Sequence, residues 1–274
     1  MNFDTVLLKA LASNNAAIFM GAGTSKLVLW NEFVESIVNK IPEVPKNIES
    51  NIETMEYAKK SNQSEYFNLV NEQFNPERSP EVSEIQKLIF SIGLTLYITT
   101  NFDKSFENYV TNTGLSRFAA RTYDDIDTII QDVRTESPLL IKMHGCINDR
   151  KNIIFTKSDY LKLTRKHRSF LDFMGSIFLQ RVTLFIGYSF RDPDLELIFN
   201  SRQMTNLSGA YNYILMPENE IDPVTKELWL ENFGLKVVEF EVSDKDITSG
   251  LINCLEKIIE KIKYYEPNRV GQYE

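Results

Sequence analysis

The sequence predicts an α/β fold with a doubly wound, mostly parallel sheet and helical insertions over the carboxyl ends of its strands. Six short apolar runs rich in Ile, Val, Phe and Tyr mostly lack strict apolar–polar alternation, which is typical of strands buried on both faces. Segments of helical periodicity lie between these runs, as in successive βαβ units. The chain has 274 residues, 43% of them hydrophobic, which is enough for one large domain of this kind.

The predicted strands and helices alternate along the chain. The predicted strands are Ala16–Met20, Leu94–Thr99, Leu139–Met143, Val182–Ile186, Tyr211–Met216 and Leu235–Phe240. A first helix carries Trp30, Phe33 and Ile37 on one face and stops before Pro42. Another helical stripe, at 85–92, leads into the second strand, and a last helix runs from Ile247 to about Tyr264.

Two stretches, about 43–80 and 147–180, do not fit this alternation. The first is polar, with helical patches at 55–58 and 66–70, and the second reads as a short extended pair followed by a long helix. We interpret both as insertions that rise over the strand ends, where ligands of open α/β sheets bind. The prediction is therefore one domain over residues 1–274 with two insertions.

Charge and cysteine content exclude several classes of protein. The net charge of −8 argues against a protein that grips a nucleic-acid backbone, and the basic stretch at 157–168 reads as a solvated helix face. Cys146 and Cys254 are too few and too far apart for a four-cysteine zinc site or a disulfide scaffold. No segment reads as a signal peptide or a membrane span. We expect a cytoplasmic protein that binds no metal, no nucleic acid directly and no membrane.

The first motif that carries chemistry follows the first predicted strand. It consists of Gly21, Ala22, Gly23, Thr24 and Ser25. Glycines at such a turn let the backbone approach a phosphate, the following helix offers N–H groups, and Thr24 and Ser25 add hydroxyl donors. The motif is not a full G-x-G-x-x-G, so a tight turn without a ligand explains it equally well.

The second motif, Thr100, Asn101, Phe102 and Asp103, follows the second predicted strand. An amide and a carboxylate two residues apart on a strand-end loop can hold a polar ligand from the same side. The alternative is that Asn101 caps the next helix and Asp103 lies in its first turn, both of which are common structural uses.

A third motif places His144 and Gly145 at the end of the third predicted strand, after Lys142 and Met143. A lone histidine is more often structural than catalytic. At a strand end followed by glycine, however, His144 is positioned to act as a base near neutral pH. The other histidine, His167, reads as a surface residue.

A fourth motif, Gly187, Tyr188 and Ser189, follows the fourth predicted strand and forms a second ligand-facing loop. Asp192 and Pro193, a few residues later, have the pattern of a helix start, so capping is the favoured interpretation of Asp192.

In this order, and each after a hydrophobic strand, the four motifs resemble those of bacterial sirtuin-like NAD hydrolases linked to anti-phage defence. The resemblance extends from about Ala16 to the final helix and implies a Rossmann-like sheet. It implies that Asn101 and His144 are the catalytic pair and that Asp103 faces the nicotinamide. It also implies that the glycine turn with Ser25 lies against NAD phosphate and ribose, and that Gly187 and Ser189 flank the adenosine. The neighbouring residues expected in the same pocket are Ala22, Thr24, Thr100, Phe102, Gly145 and Tyr188.

The chain departs from protein-deacylating sirtuins because it cannot build their four-cysteine zinc module. This favours water as the acceptor and NAD+ as a substrate rather than a cofactor, so the expected activity is NAD+ glycohydrolase. Two alternatives remain: an NAD-dependent protein deacylase and a non-catalytic nucleotide-binding sensor.

The resemblance also bears on assembly. It implies a homo-oligomer or a regulatory partner subunit, such as a DNA-translocating ATPase or a short Argonaute. Aromatic residues in the two insertions that the core does not use would serve as interface anchors. The aromatic residues in question are Tyr57, Tyr66, Phe67, Phe74, Phe170, Phe173 and Phe178.

Overall fold

A computed structural model describes residues 3–26, 30–74, 81–115, 117–188, 211–267 and 270–271. Its strands are β1 (Ala16–Met20), β2 (Leu96–Thr99), β3 (Ala119–Thr122), β4 (Leu139–Lys142), β5 (Val182–Ile186), β6 (Asn212–Pro217) and β7 (Leu235–Phe240). Within the described residues they form one seven-stranded sheet in the order β3-β4-β2-β1-β5-β6-β7, and every neighbouring pair is parallel.

Helices connect and cover the strands. They are α1 (Thr5–Ala12), α2 (Trp30–Lys40), α3 (Asn51–Ser61), α4 (Gln63–Phe74), α5 (Glu84–Ser91), α6 (Ser105–Asn112), α7 (Ile126–Asp132), α8 (Lys157–Lys166), α9 (Arg168–Gln180), α10 (Pro223–Phe233) and α11 (Ile247–Tyr265). None of these described helices is both long and apolar enough to cross a bilayer.

The strand order makes β1 the centre of a doubly wound sheet. From β1 the chain builds β2, β3 and β4 on one side, and then returns to place β5, β6 and β7 on the other. In such sheets the crevice at the carboxyl ends, where the winding reverses, is the usual ligand site. The predicted fold class is therefore confirmed, and the fold draws attention to the loops that follow β1, β2, β4 and β5.

Three hydrophobic clusters account for the packing. Alternate residues of β1 face opposite sides of the sheet, so that Ile18 packs with α1, α5, α6 and α11, whereas Phe19 packs with α7, α8 and α9. A third cluster lies outside the sheet and joins α2, α3 and α4 to Phe102, Ile153 and Phe155. The insertion predicted at 43–80 therefore has its own core, which reaches the loop after β2.

The structure differs from the predicted elements in three places. The strand β3 is absent from the predicted set because it is an edge strand whose residues are all half-buried, so it shows no apolar run. The extended pair expected after residue 147 does not form: a short helical turn at Arg150–Asn152 stands there instead. The long helix expected next is two helices that meet at His167, whose backbone is not helical.

Candidate active site at the carboxyl ends of the strands

The loops after β1, β2, β4 and β5 are tied together by hydrogen bonds between their backbones. The Gly21 amide donates to the Ile186 carbonyl at 2.9 Å, and the Gly23 amide donates to the Gly187 carbonyl at 2.9 Å. On the other side, the Met143 amide donates to the Thr99 carbonyl at 2.8 Å. The four motifs that the sequence analysis singled out therefore meet at one edge of the sheet.

The glycine turn packs directly against the turn after β5. A Cβ added to Gly21 would lie 2.3 Å from the Gly187 carbonyl oxygen, and one added to Gly23 would lie 3.0 Å from the same atom. Gly187 itself has a φ of +61°, in the left-handed region. These glycines thus serve the close approach of two backbone turns, whatever ligand they also meet.

Most amides of the glycine turn are used inside the protein. Besides Gly21 and Gly23, Thr24 and Ser25 donate to the carbonyls of Gly21 and Ala22 at 3.1 Å each, so the turn is a short 3₁₀ helix. Thr24 is fully buried, and its hydroxyl donates to the Gly21 carbonyl at 2.7 Å. The exposed part of the turn is Ala22 and Gly23, and Ser25 is half-buried beside them. A phosphate at this turn would therefore meet Ala22, Gly23 and Ser25 rather than a row of unused amides.

The side chain of Asn101 spans from β2 to the glycine turn. Its Nδ2 donates to the Gly21 carbonyl at 3.1 Å, and its backbone amide donates to Thr99 Oγ1 at 3.0 Å. Thr99 Oγ1 in turn donates to the Met20 carbonyl at 2.9 Å. With Nδ2 committed to Gly21, the amide oxygen of this half-buried residue is the atom that can accept a hydrogen bond from a ligand. Asn101 does not cap α6, so that structural alternative is wrong.

One carboxylate oxygen of Asp103 accepts hydrogen bonds at the start of α6, and the other is available to a ligand. Its Oδ1 accepts hydrogen bonds from the Ser105 amide at 2.8 Å and the Ser105 hydroxyl at 2.5 Å, at the start of α6. The other oxygen, Oδ2, is buried and has no hydrogen-bond partner in the described part of the chain. Because a buried carboxylate oxygen without a donor is costly, Oδ2 is suited to receive one from a ligand.

A buried hydrogen-bond network, which was not predicted from the sequence, holds Ser105, the residue that donates to Asp103. Gln86 Nε2 donates to the Ser105 hydroxyl at 3.2 Å, and the Gln86 amide is capped by Ser83 Oγ at 3.0 Å. The Ser83 hydroxyl also donates to the Thr24 carbonyl. The amino end of α5 thus joins the loops after β1 and β2. The only signal in the sequence is the capping box at Ser83 and Gln86, which says nothing about these partners.

His144 follows the end of β4 at the same distance along the chain at which Asn101 follows the end of β2. The two strands pair with Thr99 opposite Lys142, and each of the two side chains lies two residues beyond that pair. His144 is buried, and its ring meets the edge of Tyr160 on α8 at 5.7 Å between ring centroids. Its carbonyl accepts a hydrogen bond from the Ile154 amide at 3.0 Å. The second insertion thus covers the histidine.

Gly145 permits the turn that follows His144. Its φ is +82°, and an added Cβ would lie 2.6 Å from the Asn152 carbonyl oxygen. A side chain at this position would therefore push residues 152–154 away from the strand end. Gly145 shapes the site without presenting a polar group to it.

Several residues assigned to the pocket face the core. The Phe102 ring packs against Phe74 at 4.4 Å and Phe155 at 4.6 Å, both in the cluster of the insertions. Thr100 is buried, and so is Tyr188, whose ring meets the edge of Phe19 at 5.2 Å. Ser189, Asp192 and Pro193 lie outside the described residues.

A buried ion pair, also missed from the sequence, lies beneath the loop after β2. Lys142 Nζ is 2.8 Å from Glu107 Oε2 and donates to the carbonyls of Phe102 and Asp103. Burial raises the pKa of Glu107, and the Lys142 ammonium opposes that shift. A lysine inside an apolar strand was the available signal, but its partners lie 35 to 40 residues away.

The model of the family described as "SIR2-like domain" matches residues 95–238, which include the motifs of Asn101, His144 and Gly187. Several similar proteins carry the name "NAD(+) hydrolase ThsA", including those of Enterococcus faecium, Cytobacillus dafuensis and Bacillus cereus. The one from Enterococcus faecium is 28% identical over 90% of this chain and 53% of its own length.

The other two relatives agree with it. The protein of Cytobacillus dafuensis is 26% identical over 88% of this chain and 49% of its own length. That of Bacillus cereus strain MSX-D12 is 24% identical over 95% of this chain and 56% of its own length. The chain spans about half the length of these curated relatives. Together with the sheet order and the placement of the motifs at its carboxyl edge, the family match, which covers more than half of the chain, shows that this protein belongs to the SIR2-like domain family.

Proposed function

We propose that this protein hydrolyses NAD+ at the bond between nicotinamide and ribose, releasing nicotinamide and ADP-ribose. The observation that carries the proposal is the matched placement of Asn101 and His144, each two residues beyond the paired Thr99 and Lys142. The hydrogen bond from Asn101 to Gly21 adds the glycine turn to the same site. The names of the relatives support the same reaction.

The chemistry needs groups that hold the ribose, bring in water and bind the departing base. Cleavage of the bond builds positive, oxocarbenium-like charge on the ribose. Asn101 Oδ1 positions the attacking water near the anomeric carbon, since Nδ2 is held by Gly21. His144 binds the ribose hydroxyls as a base or polarising partner. Asp103 Oδ2 accepts a hydrogen bond from the carboxamide N–H of nicotinamide.

The remaining assignments complete the site for the substrate. Ala22, Gly23 and Ser25 line the exposed side of the glycine turn, where the phosphates and ribose of NAD+ would lie. Gly187, with Ser189, flanks the adenosine. We include Thr24, Thr100, Phe102, Gly145 and Tyr188 as residues that shape the pocket from within, because all five are buried or lie at a tight turn. NAD+ is the substrate, and the proposal involves no further cofactor or metal.

The first test measures free nicotinamide after incubation of the purified protein with NAD+. Asn101→Ala and His144→Ala should each reduce turnover by roughly 100-fold or more, because each removes a group that acts on the reacting ribose or water. Circular dichroism should show both variants folded. His167→Ala is the matched control, since the other histidine of the chain packs against Tyr123, next to the edge strand β3, and has no part in the proposed chemistry; it should keep full activity.

Two results would favour another function. If a folded His144→Ala protein turns over NAD+ at the wild-type rate, His144 is not catalytic. If NAD+ is bound intact by the wild-type protein at every protein concentration, the sensor alternative is favoured. Turnover of an acetyl-lysine peptide in step with NAD+ loss would favour the deacylase.

The biological setting follows from the resemblance. We propose an NAD-depleting effector of anti-phage defence that self-associates or binds a regulatory subunit, such as a DNA-translocating ATPase or a short Argonaute. We infer a cytoplasmic location from the same resemblance. The acidic chain makes no direct contact with nucleic acid in this proposal.

A further inference from the structure

Lys142 is a buried lysine at the end of a central strand. It is the last residue of β4 and is 1% exposed. Its ammonium has three protein acceptors: the Phe102 carbonyl at 3.3 Å, the Asp103 carbonyl, and Glu107 Oε2 at 2.8 Å. An ammonium has three N–H donors, so these contacts account for all of them.

Stability alone does not explain this arrangement. Transfer of an ammonium and a carboxylate out of water is costly, and apolar residues of similar volume often replace a buried ion pair without loss of stability. Leu140, which shares a face of β4 with Lys142, is buried in the hydrophobic core, so an apolar side chain would suit this position. The geometry that the ion pair imposes is therefore the property to explain.

The acceptors of Lys142 belong to the loop that carries the proposed catalytic amide. Phe102 and Asp103 are the two residues directly after Asn101, and their carbonyls converge on one ammonium. The Phe102 carbonyl also accepts a hydrogen bond from the Ile147 amide at 2.9 Å. Lys142 ends β4 two residues before His144, which lies in the turn that follows, so one side chain connects the Asn101 loop to the backbone that leads into His144.

Glu107 holds the lysine from the other side. It lies in the first turn of α6, is buried, and receives the Lys142 ammonium on Oε2. Its Oε1 is 3.9 Å from Cys146 Sγ, two residues after His144. The carboxylate thus contacts residues on both sides of His144 along the chain, and it compensates the charge of the buried ammonium.

We propose that Lys142, held by Glu107, is a positioning residue that sets the relative placement of Asn101 and His144. Lys142 contacts no substrate; it acts through the Phe102 and Asp103 carbonyls and through the strand end. This inference rests on the proposed NAD+ hydrolysis for its kinetic consequence. Its structural consequence, an ordered loop at 101–105, does not depend on that function.

The experiment compares the wild-type protein with the double variant Lys142→Met/Glu107→Gln. The double variant removes both charges together, so it leaves no buried ion uncompensated and should fold. Lys236→Met is the control: it also removes a lysine ion pair, with Asp4 at 3.0 Å, but at the amino end of β7, at the opposite edge of the sheet.

Two quantities are measured. Hydrogen exchange should be faster at the amides of Asn101, Ser105 and Ile147 in the double variant and unchanged in the control. The kcat for NAD+ hydrolysis should fall roughly 100-fold with KM within about 3-fold, because misplacement of the reacting groups by about 1 Å has an effect of that size. A merely structural loss would not separate kcat from KM.

Each outcome decides the proposal. A folded double variant with wild-type exchange at these amides, or with wild-type kcat, overturns it. If the double variant does not fold, Glu107→Asp alone decides, since it keeps both charges and only draws the carboxylate back by one methylene; faster loop exchange and a kcat loss of about 10-fold support the proposal, and unchanged values overturn it. If the wild-type protein does not hydrolyse NAD+, the proposed function fails while the exchange data still test the positioning role.

Discussion

Gly21 shows how a single residue can serve backbone packing at a site where a ligand is expected. Its φ is −94°, which any residue adopts, so its freedom at positive φ is not what the position needs. What it needs is the absence of a side chain, because Gly187 and Tyr188 of the β5 turn lie against it. The distance between the ends of β1 and β5 therefore depends on this residue.

We expect Gly21→Ala to lower the free energy of unfolding by about 2 kcal/mol. The added Cβ would lie 2.3 Å from the Gly187 carbonyl oxygen and 2.8 Å from Tyr188 Cα, both backbone atoms that cannot rotate away. Urea denaturation followed by circular dichroism measures the change. Ala22→Ser, one residue further on at an exposed position, is the control and should change stability by less than about 0.5 kcal/mol.

Asn101 and Asp103 show how hydrogen bonds decide which atom of a side chain can meet a ligand. The Asn101 amide nitrogen is held by Gly21, and Asp103 Oδ1 is held by Ser105. In each case one polar atom is committed to the protein, and the other defines the chemistry offered. Both the capping and the ligand-binding interpretations of Asp103 therefore apply, to different oxygens.

Among the elements, the two insertions form one unit. The sequence predicts them separately at 43–80 and 147–180, but two ion pairs and a hydrogen bond join α3 to α8. The α3 residues in these contacts are three positions apart, and their partners are consecutive at the start of α8. Glu53 pairs with Lys157 at 2.6 Å, Glu56 accepts from the Ser158 amide at 2.9 Å, and Lys59 pairs with Asp159 at 2.8 Å. Glu56 also lies at the amino end of α8, where a carboxylate is favoured by the helix dipole.

The contact through Glu56 should make the docking of α3 on α8 sensitive to acid. Burial alone would raise the pKa of Glu56, but hydrogen bonds from Lys60 and Ser158 hold it down at about 2, below the ordinary 4.5. A carboxylate with a lowered folded-state pKa contributes stability that is complete above pH 4.5 and is lost as the pH falls toward 2.

We therefore expect Glu56→Gln to lower the free energy of unfolding by about 1 kcal/mol at neutral pH. The difference from the wild-type protein should shrink as the pH falls from 4.5 through 2, since the wild-type carboxyl is progressively protonated over this range. Urea denaturation at a series of pH values measures it. Glu53→Gln is the control, because an exposed ion pair contributes at most about 1 kcal/mol and usually less. A difference that stays constant across this range contradicts the assignment.

At the scale of the whole molecule, the structure removes one argument for assembly. Of the aromatic residues in the insertions, Tyr66, Phe74, Phe170 and Phe178 are buried. Phe67 and Phe173 pack partly against the hydrophobic clusters, and Tyr57 is 50% exposed. The surplus of aromatic residues seen in the sequence is therefore used mainly within the chain.

Self-association stays a prediction that light scattering on the purified chain can test. We expect the average mass to rise with protein concentration across a dilution series, and NAD+ turnover to change with it, because assembly can shift the population of the active conformation. A strict monomer with full NAD+ turnover that depends on neither concentration nor a partner contradicts this expectation.

Most strands of the sheet, and the position of the motifs at their ends, could be predicted from the amino-acid sequence. Central parallel strands are buried on both faces and so appear as continuous apolar runs, which is why β1 and β5 begin and end at the predicted residues. The edge strand β7 is also half-buried, but it keeps several apolar residues and was predicted, whereas the edge strand β3, with the sequence AART, has no such run and was missed. The turns after the central strands were predicted to meet, because the carboxyl ends of parallel strands lie at one edge of the sheet.

Which atoms of these motifs are available to a ligand depends on tertiary contacts. The Gly21 and Gly23 amides donate to the carbonyls of Ile186 and Gly187, the Asn101 side-chain amide donates to Gly21, and Lys142 pairs with Glu107, 35 residues away in the chain. Local periodicity records whether a residue is buried, but a hydrogen bond between distant residues depends on which loops the strand order brings together. Strand order is set by the packing of both sheet faces. The geometry of the site therefore depends on the whole fold and cannot be read from the motifs.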